Sequence, residues 1–261
     1  MKNIIKNLSY LFFFLVYLHQ KIFRQPKEVS VLMYHSIENT PWKYGVHPQD
    51  FKKQIEYLKK NYHIVPLSKI IDFIKGEADL LHKSIALTFD DGYRDTYKEV
   101  FPLIKKYQLP ITVFLTTNLA PRPKLGNLPR LNWEQIKEMF ASDLVSFEVH
   151  GHNHQELSAG EIQQCQKEIY EHLQYQSKII AYPAGRRSQE IIEFLKNNGF
   201  VAGFGINEGL VRHGDDLFNI RRIQVDKTMN FMLFKLRLTG TIDLHRKFIK
   251  LWRKYLVPSA S

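Results

Sequence analysis

A regular alternation between short apolar runs and stretches of helical periodicity limits the fold of this 261-residue chain more than any other feature. We interpret the apolar runs as strands, at residues 29–33, 84–89, 110–115, 144–149, 178–181, 200–204 and 219–225. Helical spacing of apolar residues falls between most of them, at 49–60, 67–75, 93–107, 132–140, 159–176 and 188–198. Strand–helix alternation predicts a parallel α/β architecture. With 44% hydrophobic residues, the chain can bury one large core.

Two adjacent carboxylates, Asp90 and Asp91, follow one of these apolar runs within the string TFDDGY. Side chains alternate between the faces of a strand, but at a strand end followed by Gly92 both carboxylates can address one site. Neighbouring carboxylates repel each other, so we expect a cation or a metal to hold one of them ionised. The pattern favours one aspartate as metal ligand and the other as general base. An ordinary Asp–Gly turn is the alternative for these residues taken alone.

Three histidines, His150, His152 and His154, follow the apolar run at 144–149. Neutral imidazole is the commonest metal ligand, and two histidines with one carboxylate are a common ligand set of catalytic zinc or non-haem iron. His150 and His154 would share one face of a continued strand or would stack on one helical turn. Chance clustering on a solvated loop is the alternative. We expect His152 to be structural, and Glu148 either to accept a hydrogen bond from a ligand histidine or to point away.

Together these motifs resemble the polysaccharide deacetylases of carbohydrate esterase family 4, the NodB-homology family, over about residues 29–225. The resemblance rests on TFDDGY, on the H-x-x-x-H of His150 and His154, and on AYPAG at 181–185, in order and at family-like spacing. The opening LMYHSI at 32–37 is similar to the branch that acts on poly-N-acetylglucosamine. The resemblance implies a distorted (β/α) barrel with fewer than eight units.

The resemblance also implies a metal-dependent hydrolase that removes N-acetyl groups from an N-acetylglucosamine-containing polysaccharide or glycan. Asp91, His150 and His154 match the family's metal ligands, for a divalent cation that we expect to be Zn²⁺. Asp90 matches the catalytic base. The backbone N–H of Ala184 matches the donor that stabilises the oxyanion.

Three features of the family pattern are changed or left open in this chain. The general acid has two candidates, His245 in the string IDLH and His35 in the N-terminal Tyr-His motif, and we favour His35. Many members carry an arginine two residues before the proline of the third motif, where this chain has Ala181. Arg221 or Arg222, in NIRRI, either supplies that guanidinium or forms a solvated strand end, and Arg222 is our candidate. The tryptophan that often lines the acetyl pocket near the fourth motif is also absent.

The net charge of +11 is concentrated at the two ends of the chain. Residues 1–30 hold five basic residues and one acidic residue, and residues 221–261 hold ten basic residues and two acidic ones. Nucleic-acid binding would place a basic face beside aromatic readers, and the near-neutral body lacks this pattern. Basic ends flanking apolar segments favour a membrane surface as partner.

These patterns predict three regions: a hydrophobic anchor or signal-like segment at 1–26, a deacetylase domain at 27–228 and a basic amphipathic tail at 229–261. The apolar run at 8–18 is shorter than the roughly 20 residues of a comfortable membrane span, and no small-residue cleavage site follows it. We therefore expect an uncleaved anchor or an in-plane helix, and a membrane-associated protein of the cell envelope. The tail either lies on anionic lipid or packs on the barrel.

Three functions remain open on the sequence. The first is a deacetylase of an N-acetylated glycan. The second is a glycan-binding protein of the same fold with weak or no catalysis, which the missing arginine favours and the intact Asp-Asp and His-x-x-x-His pairs disfavour. The third is a deacetylase of a lipid-linked sugar, which the membrane features favour. The proline-rich loop at 121–130 either contributes to sugar binding or is a rigid surface loop.

Overall fold

The computed structural model describes residues 28–121 and 125–240. Residues 28–229 form one compact unit, and the described residues 230–240 belong to a second. The strands of the first unit are β1 (Glu28–Tyr34), β2 (His63–Ile64), β3 (Ser84–Asp91), β4 (Ile111–Leu115), β5 (Val145–Val149), β6 (Ile179–Ala181), β7 (Ala202–Phe204), β8 (Val211–Arg212) and β9 (Ile223–Gln224). Its helices are α1 (Pro48–Asn61), α2 (Leu67–Lys75), α3 (Phe101–Tyr107), α4 (Trp133–Phe140), α5 (Ala159–Leu173) and α6 (Gln189–Asn197).

The strands form one curled sheet. Parallel pairs connect β7, β6, β5, β4, β3 and β1 in that order. β9 pairs with β1 in parallel, and a parallel bridge joins Phe204 at the end of β7 to Ile220 just before β9. One segment, residues 220–224, therefore connects the two ends of the curled sheet. This confirms the predicted α/β fold, a distorted (β/α) barrel with fewer than eight units.

Local sequence signals account for where the helices begin. Asn132 starts α4 with a capping box, in which its side chain accepts from the N–H of Gln135 and the Gln135 side chain accepts from the N–H of Asn132. Ser158 and Ser188 cap α5 and α6 through their hydroxyl oxygens. Gly76 ends α2 in the left-handed conformation that glycine adopts most easily.

Besides shifts of one to three residues at other element ends, the structure differs from the sequence-based prediction in four respects. The strand predicted at 84–89 continues through Asp91, and all eight of its residues are buried. The strand predicted at 219–225 shrinks to Ile223–Gln224. The helix predicted at 93–107 contains a π-helical turn, Thr96–Val100, ahead of α3. The two-residue strands β2 and β8 were not predicted, because neither contains an apolar run long enough to be recognised.

The described part of the second unit contains one helix, α7 (Phe231–Arg237), which Asn230 caps through its side chain. The predicted anchor at 1–26 and most of the predicted tail, including His245, lie outside the described residues. Within the described ranges, no helix has both the length and the apolar character needed to cross a membrane.

Candidate active site

The predicted site residues converge on one open pocket of about 890 Å³ at the carboxyl ends of the parallel strands. This is the edge at which barrel enzymes place their catalytic groups. The pocket is lined by His35 after β1, Asp90 and Asp91 at the end of β3, His150 and His154 after β5, and Ala184 after β6.

Asp91, His150 and His154 form a candidate metal site. Oδ1 of Asp91 lies 3.6 Å from Nε2 of His150 and 3.3 Å from Nε2 of His154. One ligand atom from each residue falls within 4.8 Å of the other two. Oδ1 of Asp91 is buried and accepts no hydrogen bond from the described residues. Buried polar atoms are normally satisfied, so an unpaired carboxylate oxygen facing two imidazole nitrogens fits a divalent cation.

The backbone at two of these ligands adopts a conformation that sequence alone does not reveal. Asp91 has φ 76° and His154 has φ 50°, both in the left-handed region. This turn of the chain lets Asp91 reach the same pocket as Asp90, as the paired carboxylates predicted. His154 lies in the loop after β5 rather than on a helical turn or a continued strand. Its spacing from His150 therefore reflects a loop geometry that neither regular structure describes.

Neighbouring groups orient the side chains of the candidate metal site. Nδ1 of His150 donates to the carbonyl oxygen of Ala181 at 2.8 Å, which leaves Nε2 to face Asp91. Burial, together with the nearby His150, lowers the pKa of His154 to about 4, so its imidazole is neutral near pH 7. Burial raises the pKa of Asp91, but the surrounding histidines and Arg130 lower it by more, so this carboxyl is ionised. These are the protonation states that a metal requires of its ligands.

Asp90 is held by a buried arginine. Nη1 and Nη2 of Arg222 donate to the two carboxylate oxygens of Asp90 at 2.6 and 2.8 Å. The guanidinium also donates to the carbonyl of Gly205 at 3.0 Å and to Oγ1 of Thr88 at 3.2 Å. Burial raises the pKa of Asp90, but Arg222, with smaller contributions from nearby histidines, lowers it to about 2. Arg221 instead pairs with Asp215 at the surface.

The remaining predicted residues have distinct surroundings. His35 is stacked on Tyr44 with ring centroids 4.9 Å apart, and its Nδ1 is buried with no partner among the described residues. Burial lowers the pKa of His35, although Asp90 and Asp91 act in the opposite direction. Ala184 lines the pocket within the turn Pro183–Gly185 and has φ 52°.

Two neighbouring polar residues do not contact the metal site. Nδ1 of His152 lies 2.9 Å from Oγ1 of Thr117, in agreement with a structural role. Glu148 points away from the ligand histidines and accepts hydrogen bonds from Ser177 at 2.5 Å and Tyr175 at 2.7 Å. Burial raises the pKa of Glu148 to about 7 despite these two bonds.

Sequence reasoning missed three residues at this site. Trp42 and Tyr44, in the loop after β1, line the pocket beside His35. Arg130 is buried, donates through Nη1 to the backbone carbonyl of Asp91, and places its guanidinium 4.4 Å from the ring centre of Tyr93. The aromatic pair in the string PWKYG was a visible signal, whereas nothing local distinguished Arg130 from a surface arginine.

Similarity to known proteins identifies the class of hydrolase to which this fold and this site belong. Residues 77–203 match the family model described as Polysaccharide deacetylase. The poly-beta-1,6-N-acetyl-D-glucosamine N-deacetylase of Staphylococcus epidermidis is 30% identical over 199 residues, which span 70% of this chain and 68% of that protein. The chain therefore belongs to the polysaccharide deacetylase family.

Solved structures agree with this assignment. IcaB from Ammonifex degensii is 26% identical and superposes with a TM-score of 0.73 over 83% of this chain and 98% of its own. The Streptococcus pyogenes deacetylase PplD, in complex with acetate, shares the fold with a TM-score of 0.71 and 24% identity over 82% of this chain and 99% of its own.

Proposed function

We propose that this protein is a metal-dependent deacetylase that hydrolyses N-acetyl groups of an N-acetylglucosamine-containing polysaccharide or glycan. One observation carries the proposal: the unpaired Oδ1 of Asp91 faces two imidazole nitrogens, beside a carboxylate that Arg222 holds ionised in the same pocket. The substrate in the name of the Staphylococcus epidermidis relative supports the choice of sugar.

Asp91, His150 and His154 would hold the cation, and their mixed nitrogen and oxygen donors suit Zn²⁺. A divalent cation bound there would lower the pKa of a water molecule and polarise the acetyl carbonyl. His150 is oriented for this task by its bond to the backbone at Ala181. Three protein ligands leave positions open for water and substrate, as catalytic zinc sites require.

Asp90 would act as the general base. It is ionised at neutral pH and takes a proton from the water that attacks the acetyl carbon. Arg222 fixes the direction of the carboxylate through two hydrogen bonds, so Asp90 meets the water in one orientation. The N–H of Ala184 would donate to the oxyanion that forms on the acetyl oxygen.

His35 would act as the general acid. When the C–N bond breaks, the sugar nitrogen needs one proton, and His35 would supply it and be reprotonated from solvent. Its burial in the pocket wall and its unpaired Nδ1 support this role. Burial lowers the pKa of His35, and the negative charges of Asp90 and Asp91 oppose that effect in part.

The position of Arg222 weakens the alternative hypothesis of a protein that only binds glycan. That hypothesis depends partly on Ala181, which occupies the position where many family members carry the arginine that orients the base. Arg222 reaches Asp90 from beside β9 and offers the same two hydrogen bonds. This contact supports the catalytic proposal over a purely glycan-binding role.

The test is acetate release by the full chain, stripped of metal and reloaded with zinc, on N-acetylglucosamine oligomers. We expect zinc-dependent release, and we expect Asp90→Asn to keep zinc but lose about 10²–10⁴-fold in rate, the usual contribution of a general base. Full activity of Asp90→Asn would refute the assigned mechanism. Acetate release from a lipid-linked N-acetyl sugar but not from the oligomers would shift the substrate to lipid-linked sugars. Bound zinc without any release would indicate a binding protein.

We also propose that the N-terminal segment associates the protein with a membrane of the cell envelope. The apolar run at 8–18 and the lysines and arginine around it support this proposal. The test is co-sedimentation of the full chain with vesicles of anionic phospholipid, beside a variant that lacks residues 1–26. We expect the deletion to release most of the protein, and equal sedimentation of both forms would contradict the proposal.

A further inference from the structure

Aromatic side chains from the loop after β1 form one wall of the candidate active site. Trp42, Tyr44 and His35 all line the pocket. The indole of Trp42 meets Tyr44 edge-on, with ring centroids 5.1 Å apart and planes at 74°. It meets His35 in the same manner, at 5.9 Å and 84°. Trp42 is only half-buried, so part of a well-held indole remains exposed toward the pocket.

Two further contacts fix the indole from outside the loop. Tyr93, which follows the Asp90–Asp91 pair, packs against Trp42 with ring centroids 5.3 Å apart. The backbone at Gly126 approaches the indole so closely that a Cβ there would lie 3.0 Å from its Cγ. Gly126 also has φ +74°, a conformation that glycine adopts without strain. The loops after β1 and β4 thus meet at Trp42.

The loop that carries Trp42 is closed at its base. Ser36 and Gly45 form an isolated parallel β-bridge, and the N–H of Val46 donates to the carbonyl of Ser36 at 2.9 Å. The N–H of Gly45 donates to the carbonyl of Trp42 at 3.1 Å. The Ser36 hydroxyl donates to the buried carboxylate of Asp95 at 2.6 Å, which ties the loop base to the helical turn after β3. A binding surface that is ordered before its ligand arrives loses less entropy on binding.

We propose that Trp42 is a specificity-determining residue on which a pyranose ring of the glycan stacks. The C–H groups on one face of a pyranose are apolar and slightly positive, and they complement the negative face of an indole. Pockets for polar ligands commonly combine such an apolar surface with a few polar groups that fix orientation. Trp42 would hold the sugar while its acetyl group reaches the Asp91–His150–His154 site. The inference rests on the proposed function, since it assigns a sugar-binding wall to the same pocket.

Trp133 provides a matched control. It is also half-buried, it stacks on His172 with ring centroids 3.8 Å apart, and it does not line the pocket. Either substitution removes the indole of a half-buried tryptophan, but only Trp42 would contact the glycan. A difference between the two variants therefore reports glycan contact rather than general loss of stability.

The experiment is calorimetric titration of N-acetylglucosamine oligomers into the zinc-loaded full chain carrying Asp90→Asn, which slows turnover during the titration. We expect Trp42→Ala to weaken binding about tenfold or more, which corresponds to about 1.4 kcal/mol. Trp42→Phe, which keeps an aromatic ring and protects against misfolding, should weaken it by a smaller factor. Trp133→Ala should leave affinity unchanged. In the parent chain, Trp42→Phe should raise KM for acetate release more than it lowers kcat.

The outcomes separate this inference from the proposed function. If the Trp42 variants bind the oligomers more weakly and Trp133→Ala does not, the result supports the stacking role, whether or not the parent chain releases acetate. Equal affinities of the Trp42 and Trp133 variants overturn the inference, and acetate release by the parent chain would then leave the deacetylase proposal intact. The inference is also overturned if the chain that retains Trp42 binds none of the oligomers.

Discussion

Replacing Arg222 by methionine should destabilise the protein through the carboxylate that it leaves behind. The side chains of Arg222 and Asp90 are 0% and 3% exposed, so water is a poor replacement for the lost guanidinium. Removing one partner of a buried ion pair costs about 3–5 kcal/mol. At about 2–4 °C per kcal/mol for a domain of this size, the melting temperature should fall by about 6–20 °C.

Arg221→Met is the matched control, because the neighbouring arginine forms an ion pair of similar length at the surface. Its side chain is 30% exposed and that of its partner Asp215 is 26% exposed. Exposed pairs contribute about 0–1 kcal/mol, so this variant should melt within about 4 °C of the parent. The assay is thermal unfolding of metal-stripped protein at pH 7, followed by circular dichroism. Equal shifts for the two variants would refute the reasoning.

Three further predictions concern the metal site and its surroundings. His150→Ala should leave less than about a tenth of an equivalent of zinc after dialysis, because catalytic sites rely on three protein ligands; elemental analysis measures this, and full zinc content would contradict the assignment. Arg130→Met should weaken zinc binding about 10-fold in a chelator competition, because the guanidinium holds the carbonyl of Asp91, and an unchanged affinity would exclude that role. Burial raises the pKa of Asp95 to about 6, above the ordinary 3.8, so folding favours its protonated form. The protein should therefore lose about 3 kcal/mol of stability as pH rises from about 4 through 6, and Asp95→Asn should remove this loss. Urea unfolding at several pH values measures the stability of the parent chain and of Asp95→Asn. The same dependence of stability on pH in both would contradict the role of Asp95.

The fold could be predicted largely because strands and helices alternate with clear periodicities. The helix predicted at 67–75 has the observed bounds of α2. The strand at 144–149 differs from β5 by one residue. Two-residue strands such as β2 and β8 carry no periodic signal, since their pairing is decided by neighbouring strands rather than by their own residues.

The residues of the candidate metal site could be predicted from the sequence, but their backbone conformation could not. Asp91 and His150 stand at the carboxyl ends of parallel strands, which meet at one edge of the sheet, so their proximity follows from the fold. The loop conformation at His154 depends on a positive φ that its sequence does not encode locally. Which of Arg221 and Arg222 contacts Asp90 depends on which of the two side chains faces the barrel interior. Only the tertiary structure shows this.

The aromatic wall was the least predictable part of the pocket. Trp42 lies about fifty residues before the carboxylate pair in sequence. Its partner Gly126 belongs to a different loop, and the two meet only when β1 and β4 are placed in the same sheet. The proline-rich loop at 121–130 contributes Leu125 to the pocket.

The most direct test of the central claim is a zinc titration of the metal-stripped full chain, with bound zinc and acetate release from N-acetylglucosamine oligomers measured on the same samples. If Asp91, His150 and His154 hold the catalytic metal, acetate release should rise in proportion to bound zinc and level off at one zinc per chain. Full activity of the stripped chain, or activity that does not follow the bound zinc, would contradict the account.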